Sequence, residues 1–264
     1  MQLMRIDRPI GFYLLMWPVL WAFLIASNGN PNLFYIIIFG IGIIVTRSAG
    51  CVINDYFDQD FDKKVERTKN RVLATKQVSN PEALILFGLL ISICFILLLM
   101  LGLKIILFAS FSLFLLVLYP LTKRYFKIPQ LILGLAFGSS IPMVFILEQG
   151  AIDANCILLY IITIMWAITY DTYYAMADKK DDKKIGIKSS ALFFGDKDIA
   201  YSVILHSFAL GLFIVIGVLN SFSTVYYFFL LISALCIIYQ HLLVRNRIPY
   251  QCISAFENNN IFGL

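Results

Sequence analysis

Eight apolar runs, each long enough to cross a bilayer, constrain this 264-residue chain more than any other feature. They lie at roughly 10–27, 32–53, 83–101, 104–120, 128–148, 154–170, 199–219 and 222–243. A helical span needs about 20 mostly apolar residues. The runs are continuous rather than alternating. Helices are therefore expected instead of a barrel, because inside hydrocarbon every backbone group must be paired within the span. Composition agrees: 60% of residues are hydrophobic and 14% charged, against about 25% charged in ordinary soluble domains. The expected fold class is all-α, a polytopic membrane helical bundle without a soluble domain.

Charge sets an orientation. Lys and Arg near span ends stay on the cytoplasmic side. Of the 21 bases, all but Arg47 and Lys104 fall in the N-terminus, the 54–82, 121–128 and 171–198 loops, and the tail. These are alternate connections, so the N-terminus and the long loops are expected in the cytoplasm. The net charge of +5 reflects this bias and calls for no nucleic-acid partner. The first span is longer than a signal core and is followed by no small-residue cleavage site, so it reads as a retained helix. The five cysteines show no CxxC or metal-like spacing, and inert packing is expected of them.

The two long loops each continue an apolar run with acidic residues at helical spacing. Asn54, Asp58 and Asp62 are four apart and share a helix face. Asp171, Asp178 and Asp182 share another, with Tyr174 at its edge. The two copies form a weak parallel repeat, and facing each other they would enclose one cavity. Carboxylates crowded at a membrane boundary need cations. Hard oxygen ligands in this arrangement suit Mg²⁺, which keeps several waters and bridges to phosphates. The simplest such cation is a divalent metal carrying a diphosphate. Each loop also has as many bases as acids, and a solvated, ion-paired loop is the plainer alternative.

Arg47 lies seven residues before Asn54, about 10 Å deeper at 1.5 Å per residue. An arginine inside a span faces a cavity or a partner, so Arg47 is a candidate anion contact. Arg71, Lys123, Arg124 and Lys188 follow the motifs or Tyr119-Pro120 and are candidates for phosphate or carboxylate. His206 and His241 have no obvious partner and read as structural. Tyr56, Phe57, Tyr173 and Tyr174 supply rings within the motifs, where a carbocation gains from cation–π attraction.

At these residues the chain resembles a known family. Asn54-Asp55-x-x-Asp58-x-x-x-Asp62 and Asp171-x-x-Tyr174-x-x-x-Asp178-x-x-x-Asp182 resemble the two signatures of the UbiA-type intramembrane prenyltransferases. Further strings resemble the 4-hydroxybenzoate polyprenyltransferase branch. They include Asp7-Arg8-Pro9-Ile10-Gly11, Tyr119-Pro120-Leu121-Thr122-Lys123-Arg124, Ile185-Gly186-Ile187-Lys188-Ser189-Ser190 and Glu257-Asn258-Asn259-Asn260. The resemblance covers nearly the whole chain, read as one domain over residues 1–264. Two departures stand out. Arg71-Val72-Leu73 replaces the family's Arg-Pro-Leu, which predicts a looser loop. The family has nine spans, and the tail from Asn258 starts a new apolar run that either lies at the interface or marks a missing ninth span.

The resemblance implies a helical ring around a cavity open to lipid, in a multi-pass protein of the bacterial inner membrane. It implies transfer of a polyprenyl group from polyprenyl diphosphate to the ring carbon ortho to the phenol of 4-hydroxybenzoate, in ubiquinone synthesis, with no obligate protein partner evident. Asp58 and Asp62, assisted by Asn54, would hold one Mg²⁺, and Asp178 and Asp182 the other. Arg71 and Lys188 would neutralise the diphosphate, and Arg47 or Arg124 would take the benzoate carboxylate. Asp171 would accept the ring proton; Tyr119, Lys123 and Tyr174 complete the expected site. The alternatives are another aromatic acceptor (homogentisate, naphthoate, a haem or chlorophyll precursor) or a membrane transporter. A transporter should carry ionisable residues across the midplane, where Arg47 stands almost alone.

Overall fold

The computed structural model describes residues 1–264 and is helical throughout. Its helices are α1 (Ile10–Ala26), α2 (Leu33–Asp62), α3 (Asn80–Leu99), α4 (Leu103–Tyr125), α5 (Pro129–Gly138) and α6 (Ser140–Gln149). They continue with α7 (Ala154–Ile185), α8 (Ser190–Phe194), α9 (Asp198–Leu219), α10 (Thr224–Val244) and α11 (Pro249–Gly263). Counting α5–α6 as one segment and α8–α9 as another, seven segments are long and apolar enough to cross a membrane; α1 is a shorter apolar helix.

Helix α7 is the axis of the bundle. Leu159, Ile162, Trp166 and Tyr173 are buried along it, and α5, α9 and α11 pack most extensively against it. Trp21 of α1, Trp166 and Tyr170 form an aromatic column with successive ring centroids 5.2 Å apart. Helices α3, α4 and α10 bury little and turn Phe95, Phe111, Phe114 and Phe228 outward. Exposed large apolar side chains of this kind suit a lipid solvent.

Helices α2 and α7 have 30 and 32 residues, or about 45 and 48 Å at 1.5 Å per residue. A hydrocarbon core is about 30 Å thick. Each helix therefore overshoots at one end, and the overshoot is where the acidic motifs lie. The motifs do continue their spans as helix.

Two expectations change. The fifth apolar run is broken at Ser139 into α5 and α6. Pro142 has no N–H to give to the turn before it. At the break Ser139 Oγ donates to Ala136 O at 2.6 Å and Ser140 Oγ to Phe137 O at 3.4 Å. The tail, expected at the interface or as the mark of a missing span, forms α11 and packs against α1, α7 and α10. Three consecutive asparagines seat it. Asn258 Oδ1 accepts from Gln240 of α10 at 3.0 Å, Asn259 Oδ1 from Trp166 of α7 at 2.8 Å, and Asn260 Oδ1 from Trp17 of α1 at 2.9 Å. Successive helical residues point about 100° apart, so one short run reaches three neighbours.

Helix α5 approaches the backbone of α7 closely. A Cβ added at Gly134 would stand 2.9 Å from Ile164 Cα and 3.0 Å from its carbonyl oxygen. Small residues permit such contact in membrane bundles. Gly134→Ala is expected to cost about 1–3 kcal/mol through overpacking. A lowered unfolding midpoint in detergent checks this, and an unchanged one contradicts it.

Candidate active site

A cavity of about 1140 Å³ runs from the overshooting ends of α2 and α7 into the bundle. Its far part is apolar, walled by Leu97, Ala109 and Leu113 of α3 and α4. Its near part collects both acidic faces and a ring of bases.

The α2 face is buried: Asp55 is 2%, Asp58 5% and Asp62 6% exposed. Anions that deep require countercharge. Lys123 of α4 donates from Nζ to Asp58 Oδ2 at 2.6 Å and to Asn54 Oδ1 at 3.2 Å. Arg71 donates from Nη1 to Asp62 at 2.8 Å and to Asp55 at 3.1 Å. Arg5 pairs with Asp55 from the N-terminal segment. Burial works against the Arg5 charge, but Asp55 more than offsets it and the arginine is held above its ordinary pKa. The loop bearing Arg71, expected to be loose, is anchored: Val72 and Leu73 are buried with Leu3, Ala49 and Val52.

The α7 face is tied differently. Arg67 grips Asp178 through Nε, at 3.0 Å, and through Nη2. It also donates to the Tyr174 hydroxyl and stacks 4.3 Å from that ring's centroid. Burial disfavours its charge, yet the Tyr174 hydroxyl and Asp178 prevail and hold Arg67 above the usual arginine value. Asp171 lies beside Gln130, Tyr119 and Lys123. Asp182 lines the cavity without a hydrogen bond or ion pair from its carboxylate.

The cavity brings together Arg47, Asn54, Asp58, Asp62, Arg71, Tyr119, Lys123, Asp171, Tyr174, Asp178, Asp182 and Lys188. Arg124 is the exception among the sequence-derived candidates. It is exposed, donates to Phe57 O at 3.0 Å and lies 5.3 Å from the Phe61 ring centroid, outside the cavity. Adjacent helix residues point about 100° apart, so with Lys123 turned inward Arg124 turns out. Lys188 borders the cavity but braces it: its N–H donates to Lys123 O at 2.9 Å and its Nζ to Tyr125 O at 3.0 Å.

Arg47 sits deeper. Its Nη1 meets Cys51 Sγ at 2.6 Å, and its buried Nε has no partner. The guanidinium lies against Gly11, where an added Cβ would be 2.2 Å from Nε. A larger residue at position 11 would displace the guanidinium. His206 and His241 flank the Tyr173 hydroxyl, at 3.4 and 3.1 Å, away from the cavity. Arg5 and Arg67 escaped the sequence reading. They are loop and terminal bases like their neighbours, and nothing in their spacing marks them.

No three Asp, Glu, His or Cys side chains close a cage around a cation. Magnesium-like ions do not require one, since they take one or two carboxylates and keep water or phosphate oxygens. Two carboxylates per helix face, the Asn54 amide oxygen and the unpartnered Asp182 fit such an ion.

Comparison with known proteins gives a family and a fold. The UbiA prenyltransferase family matches residues 15–263. A protein of Azoarcus sp. (strain BH72) named 4-hydroxybenzoate octaprenyltransferase is 46% identical, over 99% of this chain and 91% of its own length. One of the same name from Hahella chejuensis (strain KCTC 2396) is 45% identical over 99% and 87%. Among solved structures, a UbiA homologue from Aeropyrum pernix K1 superposes with a TM-score of 0.84 at 23% identity, covering 98% of this chain and 96% of the other. A UbiA homologue from Archaeoglobus fulgidus bound to GPP and Mg²⁺ gives 0.77 at 15% identity, covering 100% and 98%.

Removing Arg71 leaves Asp62 without its cation in a buried setting. Arg71→Ala is expected to cost about 3 kcal/mol of stability, as for a broken buried ion pair. Adding Asp62→Asn should recover part of that loss, because the orphaned charge goes with it. Melting of the single and double variants checks the pair; no recovery would place the loss elsewhere.

Proposed function

The chain belongs to the UbiA prenyltransferase family, and from that membership we propose that it transfers a polyprenyl group from polyprenyl diphosphate to 4-hydroxybenzoate, at the ring carbon ortho to the phenol, in ubiquinone synthesis. It is an integral membrane protein. One observation carries the reading: two aspartate faces, more than a hundred residues apart, border one cavity whose far part is hydrocarbon. A head of concentrated negative charge with a long apolar tail fits that division.

In this reading Asp58 and Asp62, with Asn54, and Asp178 with Asp182 would hold Mg²⁺. Bound there, the metal supplies Lewis-acid neutralisation of the leaving group. Arg71, Lys123 and Arg67 now neutralise the same carboxylates, and they turn to phosphate oxygens when a donor enters. The allylic C–O bond breaks with its electron pair on the diphosphate. Stabilising that charge is commonly the largest catalytic contribution. Tyr119, Tyr170, Tyr174 and Phe137 line the cavity; their rings attract the allylic cation and keep water from it. Arg47, with its unpartnered Nε, takes the acceptor carboxylate. The ring carbon bonds to the prenyl carbon, and Asp171 accepts the displaced proton. The alternation of bases supports an orientation with the N-terminus and both motifs on the cytoplasmic side of a bacterial inner membrane.

Asp58→Ala, Asp62→Ala, Asp178→Ala and Asp182→Ala are each expected to abolish Mg²⁺-dependent prenyl transfer. The assay offers purified protein a polyprenyl diphosphate, Mg²⁺ and a panel of aromatic acids, and identifies product by mass. Normal transfer by Asp58→Ala defeats the metal assignment; product with an acid other than 4-hydroxybenzoate alone defeats the acceptor. Arg47→Ala should raise the acceptor KM about tenfold, the equivalent of 1.4 kcal/mol, with the donor KM little changed. Equal effects on both would remove Arg47 from the acceptor.

A further inference from the structure

The overshoot of α7 carries Asp178 and Asp182 beyond the packed part of the helix, so something must fix its distance from α2. On the cavity side the tie is Arg67, which grips the Asp178 carboxylate itself. Those same oxygens are required by a metal, so this tie is lost when the site is loaded. A second tie leaves them free. Lys179 donates from Nζ to Gly195 O at 2.6 Å and to Asp198 Oδ2 at 2.7 Å. Asp198, at the start of α9, is fully buried and outside the cavity. It also accepts from Arg247 Nη2 at 2.7 Å, from Arg247 Nε at 3.1 Å and from the Ile199 N–H at 2.9 Å. Arg247 completes the joint by donating to Asp196 O at 2.9 Å. One carboxylate thus joins α7, the turn before α9 and the α10–α11 connection.

We propose that Asp198 is a positioning residue: through Lys179 it holds the α7 overshoot so that Asp178 and Asp182 keep facing Asp58 and Asp62 after Arg67 lets go. The proposal rests on the reading of those aspartates as Mg²⁺ ligands. A buried carboxylate linked to separate chain segments transmits position well, because moving any one of them stretches a short charge-assisted bond. Side chains that orient ligands from behind alter metal affinity by about 10–100-fold when removed.

The test uses Asp198→Asn, Lys179→Met and Lys179→Arg in the full chain. Two quantities are read: the Mg²⁺ concentration for half-maximal transfer, and Mg²⁺ affinity by calorimetry with an unreactive thiodiphosphate analogue of geranyl diphosphate. Asp198→Asn and Lys179→Met are expected to weaken both by about tenfold, with kcat at saturating Mg²⁺ little changed. Lys179→Arg should restore both. Lys179→Met carries the test if Asp198→Asn does not fold, since Arg247 still pairs with Asp198 in it. Unchanged Mg²⁺ affinity in folded Lys179→Met, or a fall in kcat without a shift in the Mg²⁺ midpoint, overturns the proposal. Wild-type protein indifferent to Mg²⁺ would instead overturn the metal reading, and this proposal with it.

Discussion

Holding carboxylates beside hydrocarbon is expensive, and this end of the bundle is organised around meeting that cost. Removing an ion from water costs several kcal/mol even after relaxation, and the cost is met only by close, hydrogen-bonded countercharge. Asp55, Asp58 and Asp62 are nearly inaccessible, and their cations come from the N-terminal segment, the loop after α2, and α4. Asp178 draws Arg67 across from that same loop. The N-terminus, a long loop and two otherwise separate helices are thereby drawn to one place by charge as well as by the apolar packing of Leu3, Val72 and Leu73.

Length puts the charges there. Helices α2 and α7 exceed a bilayer's hydrocarbon by about ten residues each at 1.5 Å per residue, so their acidic faces emerge where water and lipid meet. Helices α3 and α4 have no such extension and bury little of themselves, which leaves them free to wall the apolar arm of the cavity. The division of labour between a polar head region and a hydrocarbon trough follows from helix length before any particular side chain is considered.

Much of this was legible in the residues, for identifiable reasons. Spans announce themselves because lipid permits little else, and the two motifs announce themselves because four-residue spacing on a continuing helix keeps Asn54, Asp58 and Asp62 on one face. Arg47 was legible because an arginine within a span needs a cavity. What stayed hidden depends on long-range packing. Arg67 and Arg5 look like any flanking base, and their roles follow from where a loop folds back. Arg124 looked as good as Lys123 because both follow Tyr119-Pro120, but one residue of rotation decides which faces inward. The break at Ser139 lies just before Pro142, which has no N–H for the Gly138 carbonyl. Helix α11 was obscured because the tail from Asn258 read as the start of a further apolar run, whereas Asn258, Asn259 and Asn260 are each satisfied by a different neighbour.

That asparagine run has a mechanical consequence. Turning α11 by about 100° about its own axis without a matching shift along it would take all three asparagines away from their partners together. The helix therefore behaves as a keyed shaft that enters its slot in a single rotational setting. Ile253, Phe256 and Glu257 project from the same shaft toward the cavity, so the key that locks it also fixes which surface the chamber presents.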